Sequence, residues 1–317
     1  MSFFKMEKSI FALFDQEKYQ EAFVLADQAE KEYPEMRYKT SFWKACLHSI
    51  TGNADLAVQE LRDALDEGIW WSPDRLEKDE DLKALRNREE FLHIVAESKR
   101  RFEESKGRSK PEFMVWEPTD KGNFSRLQSA PFILSFHWRG DNIQRFSRFW
   151  DSEEVRNKYW IAFPQSSQLY GFNEYCWDDA RLAESEIIHW LQKMKESYSV
   201  NTEELILAGA SQGGKLALEL ALKPNDIRAK GFILIVPSIR DVEQYHHSIA
   251  DATAEGVRGC IITGDQDYYY RQALDLHAAC ERSGLPCKLV VREGLGHFFP
   301  DDFTTILPEA VEFILDQ

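Results

Sequence analysis

The sequence predicts an α/β protein: a mostly parallel sheet with helices on both faces, preceded by an all-α region. Three observations carry this expectation. From about residue 108 onward, short apolar runs alternate with helical patterns, the grammar of a parallel sheet covered on both sides. Before that point there is almost no strand signal, and the composition is rich in Ala, Glu, Lys, Leu and Phe and poor in Gly and Pro. Between the two extremes of the α/β part stands Glu204–Leu222, ELILAGASQGGKLALELAL, which reads as strand, sharp turn and helix with Ser211 at the apex. These changes divide the chain into a helical domain, 1–107, and an α/β domain, 108–317.

Composition narrows the class. Of 317 residues, 43% are hydrophobic and 29% charged, the balance of a globular chain. No stretch approaches the roughly 18 uninterrupted apolar residues of a membrane span. The N-terminus, MSFFKMEKSIFALFDQEKY, carries charges throughout and does not read as a secretory signal. Five cysteines are scattered without a C-x-x-C pair, which argues against a disulfide framework or a zinc site and suits a reducing cytoplasm. The net charge of −15 repels phosphate backbones and anionic membrane surfaces, so nucleic acid is not an expected partner.

The helical domain carries small residues at a fixed period. Ala22 and Ala29 are seven apart, as are Ala57 and Ala64, and 35 residues separate Ala22 from Ala57. Alanine at such spacing lets two helices approach closely, and a period near 34 belongs to stacked helix pairs. With Ala45, Gly52 in a turn and Pro34 at a repeat end, this stretch resembles tetratricopeptide repeats; a generic helical subdomain is the alternative reading. A third helical segment follows, with Leu82, Leu85, Phe91, Ile94 and Val95 as its apolar face. So short a stack cannot bury its faces alone and is expected to dock on the next domain, a second copy or another protein. Trp70 and Trp71 are candidates for that surface, or for simple core filling. Lys99–Lys110, KRRFEESKGRSK, reads as the linker.

In the α/β part, Phe113–Trp116, Phe132–Phe136 and Trp160–Phe163 read as strands. A long helix carries Ile187, Trp190, Leu191, Met194 and Tyr198 at helical spacing. The Leu205–Ala208 strand and its helix come next, then strands at Gly231–Val236, Val257–Thr263 and Cys287–Val291. Helices are expected at about 241–254 and 271–282, and a last one at Pro308–Leu315 with proline in its first turn.

Sites in such sheets lie at the carboxyl ends of the strands. Gly209-Ala210-Ser211-Gln212-Gly213 reads G-x-S-x-G. The glycines relieve crowding around a serine on a tight, strained turn, and the helix that follows favours developing negative charge. A serine hydroxyl needs a base to take its proton and a carboxylate to steady that base. Candidates stand at three other strand ends: Gly264-Asp265-Gln266-Asp267, Gly294-Leu295-Gly296-His297, and His137-Trp138-Arg139-Gly140-Asp141-Asn142. Serine, aspartate and His297 follow one another in the order of the α/β-hydrolases.

On these motifs residues 111–317 resemble a compact α/β-hydrolase, most similar to the carboxylesterase/phospholipase and dienelactone-hydrolase-like branch. The resemblance implies Asp267, at the end of G-x-x-D, as the acid, with Asp265 as competitor in a capping or hydrogen-bonding role. It implies His297 as the base. One oxyanion donor is the N–H of Gln212, directly after the nucleophile. The other maps onto Arg139 in the family's H-G-x-G-type loop. Trp138 stands where glycine is usual, so Trp138 is the alternative donor, and its indole is a candidate wall of the acyl pocket. Tyr170, Phe172, Tyr175 and Trp177 follow the Trp160 strand, with core filling and substrate contact both open; Trp177 is carried as a substrate-binding candidate. The Tyr268–Tyr270 run reads as packing, with lining of the site as the alternative because it borders Asp267, and His246 and His247 read as solvated.

Only some twenty residues separate the Val236 and Val257 strands, which leaves no room for a large cap. The expected activity is hydrolysis of carboxylic esters or thioesters through Ser211, His297 and Asp267, on a small-molecule substrate. A serine peptidase, or a non-catalytic interaction module on the same scaffold, are the alternatives. No metal or organic cofactor is called for.

Overall fold

The computed structural model describes residues 1–119, 130–198, 200–223 and 227–316. The chain forms two compact units. One comprises Met1–Ser109 and Leu169–Asn173; the other comprises Lys110–Gln168 and Glu174–Gln317.

The first unit contains the helices α1 (Phe3–Asp15), α2 (Tyr19–Glu32), α3 (Arg37–Ile50), α4 (Ala54–Asp66), the short α5 (Pro73–Lys78) and α6 (Glu89–Lys106). The first four each pack on their sequence neighbour. Ala22, Ala29, Ala45, Ala57 and Ala64 are wholly buried, so these small side chains sit where the helices come close. Pro34 opens a tight turn between α2 and α3, and Gly52 turns the chain into α4 with φ +81°, a left-handed conformation natural to glycine. Lys44 is buried and held between Glu30 at 2.9 Å and Glu60 at 3.0 Å. A buried ammonium without such partners costs several kcal/mol, on the order of each ion's desolvation.

Trp70 and Trp71 fill the core of this unit. The Trp71 indole N–H donates to the Tyr38 carbonyl at 3.0 Å, and the Trp70 ring meets Phe102 and Phe172. The charged run from Lys99 is not a linker up to residue 106; it is the C-terminal part of α6. Its charges pair along the helix, with Arg100 and Arg101 on Glu97 and Arg100 also on Glu104. Such i,i+3 and i,i+4 pairs support a helix whose opposite face, through Phe91, Ile94 and Val95, is buried.

The strands, in chain order, are β1 (Glu112–Trp116), β2 (Phe132–Phe136), β3 (Trp160–Gln165), the short β4 (Leu169–Gly171) and β5 (Glu174–Tyr175), β6 (Leu205–Ala210), β7 (Gly231–Ile235), β8 (Arg258–Gly264) and β9 (Cys287–Arg292). The second unit is built on a seven-stranded sheet of order β1-β3-β2-β6-β7-β8-β9. It is parallel except for β1, which runs antiparallel to β3 with Glu112 opposite Gln165.

Successive residues of the central strands feed two different cores. Leu205, Leu207, Phe232 and Leu234 enter one, with Ile187, Leu216, Ile249 and Leu276 from the covering helices. Ile206, Ala208, Ile233 and Ile235 enter the other, with Ile306, Leu307 and Ala310 of the final helix. Burial on both faces explains why these strands read as unbroken apolar runs.

The last helix differs from expectation. It begins at Phe303, and Pro308 lies inside it rather than in its first turn. An interior proline costs about 3 kcal/mol. Here Phe303, Ile306, Leu307, Ala310, Val311 and Ile314 form one buried stripe through the proline, and its burial outweighs that cost. Among the described residues no helix is long and apolar enough to cross a membrane.

Candidate active site

Ser211 stands between β6 and the helix Gln212–Leu222, with φ +50° and ψ −114°. A side chain bearing a Cβ rarely adopts this backbone, which costs on the order of 1–3 kcal/mol and persists only where its surroundings hold it. They do so from the next strand: the Ser211 N–H donates to the Ile235 carbonyl at 2.9 Å, and the Ser211 carbonyl accepts from the Ser238 N–H at 3.1 Å. The two flanking glycines are forced by contact. A Cβ on Gly209 would strike the backbone of Gly213, and one on Gly213 would strike the carbonyls of Phe136 and His137. The elbow is thus pressed against the end of β2, where the loop from His137 begins.

β8 and β9 deliver the next two groups. The His297 Nε2 lies 2.8 Å from the Ser211 Oγ, and its Nδ1 lies 3.0 and 3.1 Å from the two oxygens of Asp267. With the Nδ1 proton on the carboxylate side, Nε2 is left to accept the serine proton. Asp267 is 5% exposed and also accepts the Tyr269 N–H at 2.8 Å. Asp265 turns elsewhere, accepting the Gly294 N–H at 2.7 Å and so bracing the loop that carries His297. Of the two aspartates, only Asp267 meets the imidazole among these bonds.

Gln212 is the first residue of its helix, so its N–H has no carbonyl one turn back to bond. The loop after β2 is more elaborate than the family pattern. His137 is wholly buried. Its Nδ1 lies 2.8 Å from the Trp138 carbonyl, and burial lowers its pKa to about 4, so the ring is neutral. The Trp138 indole N–H donates to buried Asp141, whose other oxygen accepts Arg145 Nε at 2.7 Å and the Asn142 N–H at 2.9 Å. The Trp138 ring packs among Phe146, Phe149, Phe298 and Phe299, the last two following His297 directly. The residue that replaces glycine is therefore a wedge linking the loop to the histidine segment.

Trp138 and Trp177 are 8% and 5% exposed, so both present little ring surface. The Trp177 indole N–H donates to the His137 carbonyl at 2.9 Å. Tyr268 is not packing: it is 75% exposed, and its ring lies 4.8 Å from that of His297. Tyr269 flanks the same imidazole at 5.6 Å. Asp178 went unnoticed in the sequence, yet it accepts from both Arg139 and Gln212 at 2.7 Å. Nothing in the local pattern Trp177-Asp178-Asp179 marks it, because its partners are 39 and 34 residues away. A groove of about 340 Å³ between β9 and the final helix is lined by Lys288 and Arg292. Those cations are paired with Glu309 and Asp302, so it offers no comparable chemistry.

Comparison with known proteins agrees with this architecture. Residues 3–106 match a family model described as the N-terminal domain of α/β-hydrolase-like proteins, and residues 183–258 match one described as the α/β-hydrolase fold. No functionally curated protein matches the chain. Among solved structures, an uncharacterised protein from Bacillus cereus is similar over 100% of this chain and 99% of its own, with TM-score 0.54 and 22% identity. A ferulic acid esterase is similar over 65% of this chain and 92% of its own, with TM-score 0.53 and 16% identity. An esterase named PE8 is similar over 63% and 99%, with TM-score 0.50 and 19% identity. The sheet order and these matches give the second unit the α/β-hydrolase fold, and residues 3–106 are similar to the N-terminal domain described for α/β-hydrolase-like proteins.

Proposed function

We propose that the protein hydrolyses carboxylic esters or thioesters through an acyl-enzyme on Ser211. The observation that carries the proposal is the continuous chain of hydrogen bonds from Ser211 through His297 to Asp267, at 2.8 and 3.0 Å. Ser211 Oγ attacks the ester carbonyl while Nε2 of His297 takes its proton. Asp267 holds the ring in the tautomer that leaves Nε2 free and stabilises the imidazolium as it forms. The N–H groups of Gln212 and Arg139 receive the oxyanion. His297 then hands its proton to the departing alcohol or thiol. Water, activated by the same imidazole, releases the acid.

The esterases that share this fold agree with an ester substrate, and the short connection between β7 and β8 suits small soluble esters better than interfacial lipid. Tyr268, exposed beside His297, is available to contact the leaving group. The helical domain, read as a tetratricopeptide-like stack of Met1–Gly107, serves as a surface for self-association or a protein partner, ahead of a catalytic domain at 108–317. Five unbridged thiols suit a cytoplasmic setting.

The test is hydrolysis of p-nitrophenyl esters of increasing acyl length, wild type beside Ser211→Ala, with fluorophosphonate labelling of the serine. Turnover and labelling that vanish in the variant support the proposal. Absence of both in the wild type overturns it in favour of a non-catalytic scaffold.

A further inference from the structure

The two residues Trp177 and Asp178 grip both walls of the proposed oxyanion hole, each wall twice. On the nucleophile side, the Trp177 N–H donates to Gln212 Oε1 at 2.9 Å, and Gln212 Nε2 donates to Asp178 Oδ1 at 2.7 Å. On the loop side, the Trp177 indole N–H donates to the His137 carbonyl at 2.9 Å, and Arg139 Nη2 donates to Asp178 Oδ2 at 2.7 Å. One carboxylate therefore holds, on its two oxygens, the side chains of the two residues whose backbone N–H groups would receive the oxyanion.

We infer that Asp178 is a positioning residue that sets the separation of the oxyanion donors Gln212 and Arg139; this rests on the esterase reading above. Such donors work only when both aim at one point, and misplacement by a fraction of an ångström forfeits much of their effect. The two donors come from the helix after β6 and the loop after β2. The pairing of β2 with β6 and the close approach of Gly213 to the Phe136 and His137 carbonyls set these elements side by side, and the Trp177–Asp178 segment ties the two donor residues themselves together by bonding to each. The Arg139–Asp178 pair is half-exposed, at 47% and 50% of its side chains, so as an ion pair it adds little to stability. Its removal should therefore show in the chemical step and not in the fold.

Asp178→Asn tests this. The carboxamide keeps the shape but turns one acceptor into a donor facing a donor, so one of the two bonds must break. The expected result is kcat lowered ~10-fold with KM changed less than about twofold. Inhibition by a trifluoromethyl ketone, whose hydrated or serine-bound form mimics the tetrahedral oxyanion, should weaken by the same ~10-fold factor. The melting temperature should not move. Asp179→Asn is the comparison: Asp179 caps the helix Ala180–Ser197 through the Arg181 and Leu182 N–H groups at 3.0 Å, so its change should lower the melting temperature and spare kcat. An Asp178→Asn enzyme with wild-type kcat and ketone affinity overturns the inference while leaving the esterase intact. So does one in which kcat falls only together with the melting temperature. A wild type with neither turnover nor Ser211 labelling removes the esterase reading itself, and this inference with it.

Discussion

The carboxylate of Asp141 accepts the indole N–H of Trp138 on one oxygen and Nε of Arg145, at 2.7 Å, on the other. Arg145 is 3% exposed and Asp141 not at all. The pair holds the tryptophan wedge that joins the loop after β2 to the His297 segment. Asp141→Ala takes this carboxylate from a buried guanidinium and should destabilise the protein by about 3–5 kcal/mol. Urea denaturation followed by circular dichroism measures it, and a loss under ~1 kcal/mol would show that Arg145 is held adequately by its other contacts.

The glycines of the elbow are tested by adding one carbon. Gly213→Ala drives a Cβ into the carbonyls of Phe136 and His137, so the elbow or the loop must shift. Esterase turnover should fall at least ~100-fold, since a displacement near 1 Å at the reacting atoms has that effect. Gly107→Ala, with open space around the added carbon, should change stability by less than about 0.5 kcal/mol and leave turnover alone.

The two aspartates after β8 should separate cleanly in kinetics. Asp267→Asn removes the acceptor for His297 Nδ1–H and should cost roughly ten-thousand-fold in kcat through the wrong tautomer. Asp265→Asn leaves that bond in place and alters only the brace to Gly294, so its effect on kcat should stay below ~10-fold. Equal losses in the two variants would contradict the assignment.

His137 makes stability depend on pH. Burial lowers its pKa from 6.5 to about 4, so between these values the unfolded chain binds a proton that the folded chain does not. Stability therefore rises with pH across this window and is lost as the solution is acidified from 6.5 towards 4. The full effect is on the order of 3 kcal/mol. His137→Asn should flatten the slope of the urea midpoint between these pH values relative to wild type, whose carboxylates contribute equally in both proteins. An unchanged slope would place the proton elsewhere.

The parts of this site that were legible in the sequence are those where backbone geometry dictates residue type. Ser211 was readable because a left-handed turn between a buried strand and a helix demands glycine at fixed offsets, and His297 because its approach is likewise marked by Gly294 and Gly296. Sequence order and G-x-x-D also separated Asp267 from Asp265 only by resemblance; the bond to Nδ1 is a matter of three dimensions. Asp178 was invisible because its partners are 39 and 34 residues away, and Arg145 because a charged residue four positions from an aspartate ordinarily reads as a solvated pair. For Tyr268 the sequence left packing and lining of the site both open, because an aromatic residue beside an aspartate fits either; its exposure and its place beside the His297 ring are matters of three dimensions. Pro308 and the Lys99–Lys106 run misled for a shared reason: local preference was overruled by a long apolar face on the same helix.

Ser211 occupies a backbone conformation that only glycine takes without cost, and Val236, one strand over, is left-handed as well at φ +39°. Replacing Ser211 with glycine should therefore make the protein more stable, by about 1 kcal/mol, while abolishing its chemistry. The native sequence is in this sense not the most durable one the fold admits. Thermostability screens that ignore turnover would drift towards that glycine, and a gain in melting temperature at this position would be a warning sign rather than an improvement.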